Sequence, residues 1–258
     1  MIYETLTYAI DRDVAVITLN RPSVMNALNT QMRAEITHAM RQAGQAARVV
    51  VLTGSGRAFC SGQDLGAEGN FADIDLERTL KDEYMPMLKA ITECPVPTIS
   101  AVNGPAAGAG ANLALAADVV IAAQSAYFVQ AFTRIGLIPD AGGTYLLPRQ
   151  MGLAKAMGVA LFADKISAEQ ASAMGMIWES VADEKFAAQW QTRAAHLASG
   201  PTETYGHVKT AVRQSFSNSE EDQLELEARL QGACGRTRDF KEGVTAFLDK
   251  RPSKFEGR

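Results

Sequence analysis

The sequence predicts an α/β fold with a largely parallel sheet, followed by a helical C-terminal region. Three observations predict it. Four β-rich runs lie in the first half of the chain: VAVITL (14–19), RVVVLTG (48–54), PTISAVNG (97–104) and DVVIAA (118–123). Most are continuously apolar, as expected for strands covered on both faces of a parallel sheet. Helical patterns separate these runs, and past about residue 150 only helical patterns continue.

Each element has its own signal. The first helix starts at Asn29, with Met32, Ile36, Met40 and Ala43 recurring at helical spacing. Leu76, Leu80, Tyr84, Leu88 and Ile91 repeat the pattern, although Pro86 is expected to kink or interrupt it. An alanine-rich helical stretch, 106–117, ends at Asp118. Ser167 and Gln170 form a capping box before ASAMG. Phe186, Trp190 and Leu197 mark one amphipathic helix, and Leu224, Leu226 and Leu230 lie in another. A last helix is expected from Thr237 to Lys250, with Phe247 on its apolar side.

Composition narrows the function. The 258 residues are 47% hydrophobic and 21% charged, enough apolar content for a sizeable core. A net charge of −4 and the lack of a basic patch argue against nucleic-acid binding. Cys60, Cys94 and Cys234 show no CxxC spacing, so neither a disulfide framework nor a zinc ribbon is expected. The N-terminus lacks the basic start and long apolar run of a signal peptide, and no stretch reaches membrane-span length. A soluble, cytoplasmic protein is the expectation.

Two glycine-rich turns follow strands: GSGRAFCSGQDL (54–65) and GPAAGAGANLALA (104–116). Read as strand-to-helix turns, they present backbone N–H groups that could aim at one oxygen. Close helix–sheet packing uses the same small residues. A P-loop is absent, and Leu113 stands where a dinucleotide fingerprint needs its third glycine. Cys60 is read as a buried structural thiol, since His38, His196 and His207 lie in separate helical segments. No histidine–carboxylate cluster has metal-ligand spacing. Asp64 is read as the cap of a helix, and Tyr127, Phe128 and Phe132 as core. In IGLIPDAGG (135–143), Asp140 is the first acid after a stretch from Ser125 that has none. Its local reading is a turn residue capping its own backbone.

Taken together, GRAFCSGQDL (56–65), AVNGPAAGAGANLALAADVVIA (101–122) and GLIPDAGGT (136–144) resemble the crotonase, or enoyl-CoA hydratase/isomerase, superfamily. The likeness runs from NRPSVMNAL (20–28) to AFLDKRPSKFEG (246–257). It implies a crotonase-like repeated ββα core over residues 1–195 and a helical oligomerisation region over 196–258. It also implies acyl-CoA thioester substrates, with coenzyme A as part of the substrate and no separate cofactor. The polarising amides fall on Gln63 and Ala109. Val24, Met25 and Ala27 fall on the coenzyme A surface, Asp64 and Leu65 near the pantetheine, and Lys250 near the phosphates. Many members carry lysine where Ser23 stands. Homotrimers or dimers of trimers are the implied assembly, with a hydratase of the same pathway as a further partner.

The departures carry most information. Hydratases of this superfamily hold and activate water with two glutamates, and their positions are Asn112 and Phe132 here. An amide is a poor base and a phenyl ring is none. Asp140 falls where several double-bond isomerases carry one catalytic carboxylate. Within that branch, FTRIGLIPDAGGTYLLPR (132–149) and GMIWE (175–179) look most like isomerases of ring-epoxide acyl-CoA esters. A straight-chain Δ3,Δ2-enoyl-CoA isomerase and a weakly catalytic acyl-CoA-binding scaffold are the alternatives. The pocket for the acyl group is expected to depend on the 66–74 loop.

Overall fold

A six-stranded sheet organises the chain. The structure is a computed structural model that describes residues 2–66 and 75–258. Strands β1 (Leu6–Asp11) and β2 (Val14–Leu19) form an antiparallel hairpin. Arg12 and Asp13 both take positive φ in its turn, which matches the twist of the strands. β3 (Val49–Gly54), β4 (Thr98–Val102), β6 (Val119–Ala123) and β9 (Glu179–Val181) then add in parallel to β2. A smaller sheet joins β5 (Ala106–Ala107), β7 (Tyr127–Val129) and β8 (Ile166–Ser167).

The apolar runs behave as their composition requires. Ile17, Val51, Ile99 and Ile121 are fully buried in one core cluster. Helix α1 (Thr30–Ala46) closes one side with Met32, Ile36, Met40 and Ala43 buried, and the Asn29 side chain accepts from Met32 N. The other helices in the first part are α2 (Leu76–Thr79), α3 (Met85–Thr92), α4 (Ala109–Leu115), α5 (Gly143–Met151), α6 (Leu153–Phe162) and α7 (Ala168–Ala173). The Ser167–Gln170 capping box forms in full at α7.

Several expectations need correction. The α-helix is interrupted before Pro86, but by a π turn and not by a break in the helical run. Residues Leu80–Tyr84 form a π-helical turn between α2 and α3, and Met85 N donates to Leu80 O. That wider turn admits the proline and keeps the helical run continuous to Thr92. Strands do not stop at residue 150, since β8 and β9 follow. They are too short, or too polar in Glu179–Val181, to show a periodic signal. The alanine-rich stretch is not helical throughout, because Ala106 and Ala107 are strand.

Four helices end the chain: α8 (Asp183–Ala198), α9 (Thr202–Gln214), α10 (Glu220–Cys234) and α11 (Arg238–Leu248). The boundary expected at residue 195 falls inside α8. Asp118 ties α9 to the sheet. Its carboxylate accepts from Thr98 N and pairs with Lys209 and Arg213. Phe247 is not packed on the body of the chain but 83% exposed, alongside exposed Phe240, Val244 and Leu248 on α11. Among the described residues no helix is long and apolar enough to cross a membrane.

Candidate active site

Three stretches far apart in sequence run side by side at one end of the sheet. Cys60 bridges Ala106, and Leu28 bridges Gln63. Leu28 N donates to Gly62 O at 2.7 Å, Asp64 N to Leu28 O at 3.0 Å, and Ser61 N to Met25 O at 3.0 Å. The 24–28 loop, the first glycine-rich turn and the second one therefore share a surface. Met25 and Asn26 are both left-handed, and the buried Asn26 side chain holds the loop through Ser55 O and Ala58 O. Val24, Met25 and Leu65 are exposed here, whereas Ala27 is buried.

The first turn is not a strand-to-helix turn as far as Gly66, where the described residues break off. Asp64 is correspondingly not a helix cap among them. It pairs with Arg21 at 2.8 Å and accepts from Gly66 N. The second turn does lead into a helix. Gly108, at φ 51° and ψ −126°, turns the chain from β5 into α4. Ala109 N, at the first position of α4, has no acceptor among the described residues. A Cβ built on Gly62 would stand 2.7 Å from Ala107 O and 3.5 Å from Ala109 N, so only glycine permits this approach. Phe132 faces the same turn, its ring 3.8 Å from a Cβ built on Gly108.

Asp140 lies in a tight turn closed by backbone, with Gly143 N donating to Asp140 O at 2.8 Å. Ala141 and Gly142, at φ 46° and 83°, supply the left-handed conformations the turn needs. The carboxylate takes no part in that closure. Its Oδ1 is buried with no hydrogen-bond partner among the described residues. The side chain lines a cleft of ≈ 330 Å³ with Leu76, Leu80, Tyr84, Leu88 and Leu137 among its walls. Burial among these groups pushes the Asp140 carboxyl up to about 6.

Asn112 and Phe132, where hydratase glutamates were expected, are both buried. Asn112 Nδ2 donates to Asp140 O at 2.7 Å, and Asn112 Oδ1 accepts from Gln130 Nε2 at 2.8 Å. Lys250 is exposed at the end of α11 and joins none of these loops by a hydrogen bond or ion pair among the described residues. Within the 66–74 loop expected to shape the acyl pocket, residues 67–74 lie outside the described residues. The Cys60 thiol is pushed up to about 12 by burial, which suits packing rather than attack.

Sequence reasoning missed a second set of residues beneath the cleft. Arg33, 1% exposed, pairs with Glu83 at 2.6 Å and donates from Nη1 to Gln63 Oε1 at 2.8 Å. Its guanidinium lies 4.9 Å from the Tyr84 ring centroid. Tyr84 also donates to Gln63 Oε1, and burial raises its phenol well above the ordinary value. Tyr84 had a signal only as part of an apolar stripe, and Arg33 had none, because a buried cation breaks no periodicity.

The pattern of the enoyl-CoA hydratase/isomerase family matches residues 9–258. This chain belongs to that family. Members act on CoA thioesters, and the chain is an enzyme of that kind. It is 62% identical over 258 residues, the whole of both chains, to a protein of Rhodobacter capsulatus named a probable enoyl-CoA hydratase. It is 45% identical over 254 residues to the 1,2-epoxyphenylacetyl-CoA isomerase of Escherichia coli, covering 96% of this chain and 97% of the other. The crystal structure of a candidate enoyl-CoA hydratase/isomerase from Mycobacterium abscessus superposes with a TM-score of 0.93 at 37% identity, covering 98% and 100% of the two chains. The crotonase fold and its mostly parallel main sheet follow from these likenesses.

Proposed function

We propose that this family member is an acyl-CoA isomerase with Asp140 as its single acid/base. The observation that carries the reading is the half-buried Asp140 carboxylate in an apolar cleft, its Oδ1 buried and without a partner among the described residues, in a chain where Asn112 and Phe132 replace both hydratase carboxylates. Ionised Asp140 removes a proton from the carbon α to the thioester carbonyl. The C–H electron pair moves into the carbonyl, and the resulting oxyanion accepts from the Gln63 and Ala109 amides. The same carboxyl then returns the proton at the γ-carbon, so the double bond moves and no atom is gained or lost. Apolar walls keep water from competing for the dienolate. No cofactor is needed, because coenzyme A enters as part of the substrate.

The named substrate we favour is 2-(1,2-epoxy-1,2-dihydrophenyl)acetyl-CoA, converted to its oxepin isomer in phenylacetate degradation. The ring C–C bond bridged by the epoxide oxygen opens with a shift of the ring double bonds, and the proton moves from the α-carbon to the γ ring carbon, so the product is an isomer. The similarity to the Escherichia coli isomerase supports it. A straight-chain Δ3-enoyl-CoA would use the same α-to-γ transfer and is the second reading. The name of the Rhodobacter capsulatus relative favours hydration instead, but Asn112 and Phe132 offer no base to activate water. We assign the coenzyme A surface to Val24, Met25, Ala27, Asp64, Leu65 and Lys250. The exposed apolar face of α11, within the 196–258 region, fits self-association as a trimer or dimer of trimers in the cytoplasm. A hydratase of the same pathway is a further proposed partner.

The test incubates the enzyme with each acyl-CoA ester in deuterated water. Because one carboxyl carries the proton with water held off, the product should form with little deuterium, and Asp140→Asn should abolish its formation while binding of the ester persists. Near-full activity in Asp140→Asn would overturn the mechanism, and turnover of aliphatic 3-enoyl-CoA alone would overturn the aromatic assignment.

A further inference from the structure

Asp140 sits on a turn whose backbone carbonyl is held from outside the turn. Asp140 O can only accept, so the Asn112 amide must present its NH2 end there, as it does at 2.7 Å. That choice leaves Asn112 Oδ1 on the other side, where it needs a donor. Gln130 Nε2 supplies one at 2.8 Å. Asn112 and Gln130 are both 0% exposed, so neither amide can exchange its partner for bulk water. Their orientation is thus dictated in sequence, carbonyl to amide to amide.

Space for this chain of bonds comes from Gly143. A Cβ there would stand 2.5 Å from Asn112 Nδ2 and 3.1 Å from its Cγ and Oδ1. Any larger residue would push the amide off the Asp140 carbonyl. Gly143 N closes the Asp140 turn at the same time, so one residue both closes the turn and clears room for its external tether.

We infer that Asn112, oriented by Gln130 and given room by Gly143, is the positioning residue that aims the Asp140 carboxyl into the cleft. The inference rests on the acid/base role proposed for Asp140. It also gives Asn112 a use other than that of the hydratase carboxylate it stands in for. Its Nδ2 donates to the turn, its Oδ1 accepts from Gln130, and the residue is fully buried. Among the described residues Tyr84 is the other titratable side chain lining the cleft; neither variant replaces it, and its phenol is raised by burial and in part by the Asp140 charge.

Two variants test the inference in the full-length protein: Asn112→Leu, close in shape but without a donor, and Gly143→Ala, which leaves Asn112 in place. Each is expected to lower kcat about 10²-fold with KM within about twofold, as for a reacting group moved by about 1 Å. The Asp140 carboxyl carbon, followed by 13C NMR, should titrate near 6 in the parent and closer to an ordinary aspartate in both variants. A folded variant with parental kcat and titration overturns the inference. Lost activity with an unmoved titration also overturns it, because Asn112 would then act elsewhere. Asp140→Asn in parallel separates the two claims. If it stays active while Asn112→Leu shifts the Asp140 titration, the acid/base reading fails and the positioning stands.

Discussion

Asp140→Asn should stabilise the protein in a pH-dependent way. The folded carboxyl titrates near 6 against 3.8 for the ordinary group, because burial disfavours its charged form. A raised folded pKa means that the native state holds the proton more tightly than the unfolded chain. The resulting stability is fully present below the unfolded value and is lost as pH rises through the folded one. A gap of about two pH units corresponds to about 3 kcal/mol as an upper bound. The carboxyl is only partly buried, so solvent at the cleft mouth reduces this to about 1–2 kcal/mol. An asparagine has no charge to desolvate. Urea unfolding of parent and variant at pH 4, 6 and 8 measures the difference. The variant should match the parent near pH 4 and exceed it by about 1–2 kcal/mol at pH 8. A difference that stays flat with pH would refute the reasoning, because the charge would then be well solvated in the cleft. A parent that gains on the variant at high pH would refute it more strongly.

Further outcomes follow from the same geometry. Because Asp140 must be ionised to accept a proton, kcat/KM should rise with pH through about 6, and a pH–rate profile flat across that range would exclude it as the base. Ala109→Pro keeps a residue suited to the first helical position but removes its N–H, so kcat should fall about 10²–10³-fold in steady-state assays of a folded protein. Gly142→Ala places a side chain at φ 83° and should cost about 1–2 kcal/mol in thermal unfolding. Asp118→Asn leaves Lys209 and Arg213 without their carboxylate and should destabilise by about 3 kcal/mol, read from denaturant midpoints.

How much of this was legible in the chain depended on the range of each signal. VAVITL matches β2 end for end, and the Asn29 cap and the Ser167–Gln170 box form as their sequences imply. These are short-range effects, decided within a few residues. Strand β1 has one buried position and five exposed or half-exposed ones of mixed polarity, so its alternation was faint. Strands β5 and β8 span two residues each and owe their state to their neighbours. Pro86 was misread because its cost was judged against a regular α-helix, whereas the chain relaxes into a π turn.

The same division runs through the site. The sequence by itself determined the candidate atoms: the glycines that allow close approach, the one acid in IGLIPDAGG, and the missing acids at Asn112 and Phe132. The local reading of Asp140 as a turn residue was half right, since the turn exists. Only the tertiary structure decided that the turn is closed by Asp140 O while the carboxylate takes no hydrogen bond from the described residues and lines an apolar cleft. Only it brought Asn112 and Gln130 onto that carbonyl, and Arg33 and Tyr84 onto Gln63. The physical reason is that a residue's type sets which bonds and charges it can offer. Burial and partner geometry, which depend on segments 18 to 50 residues away, set which of those it uses.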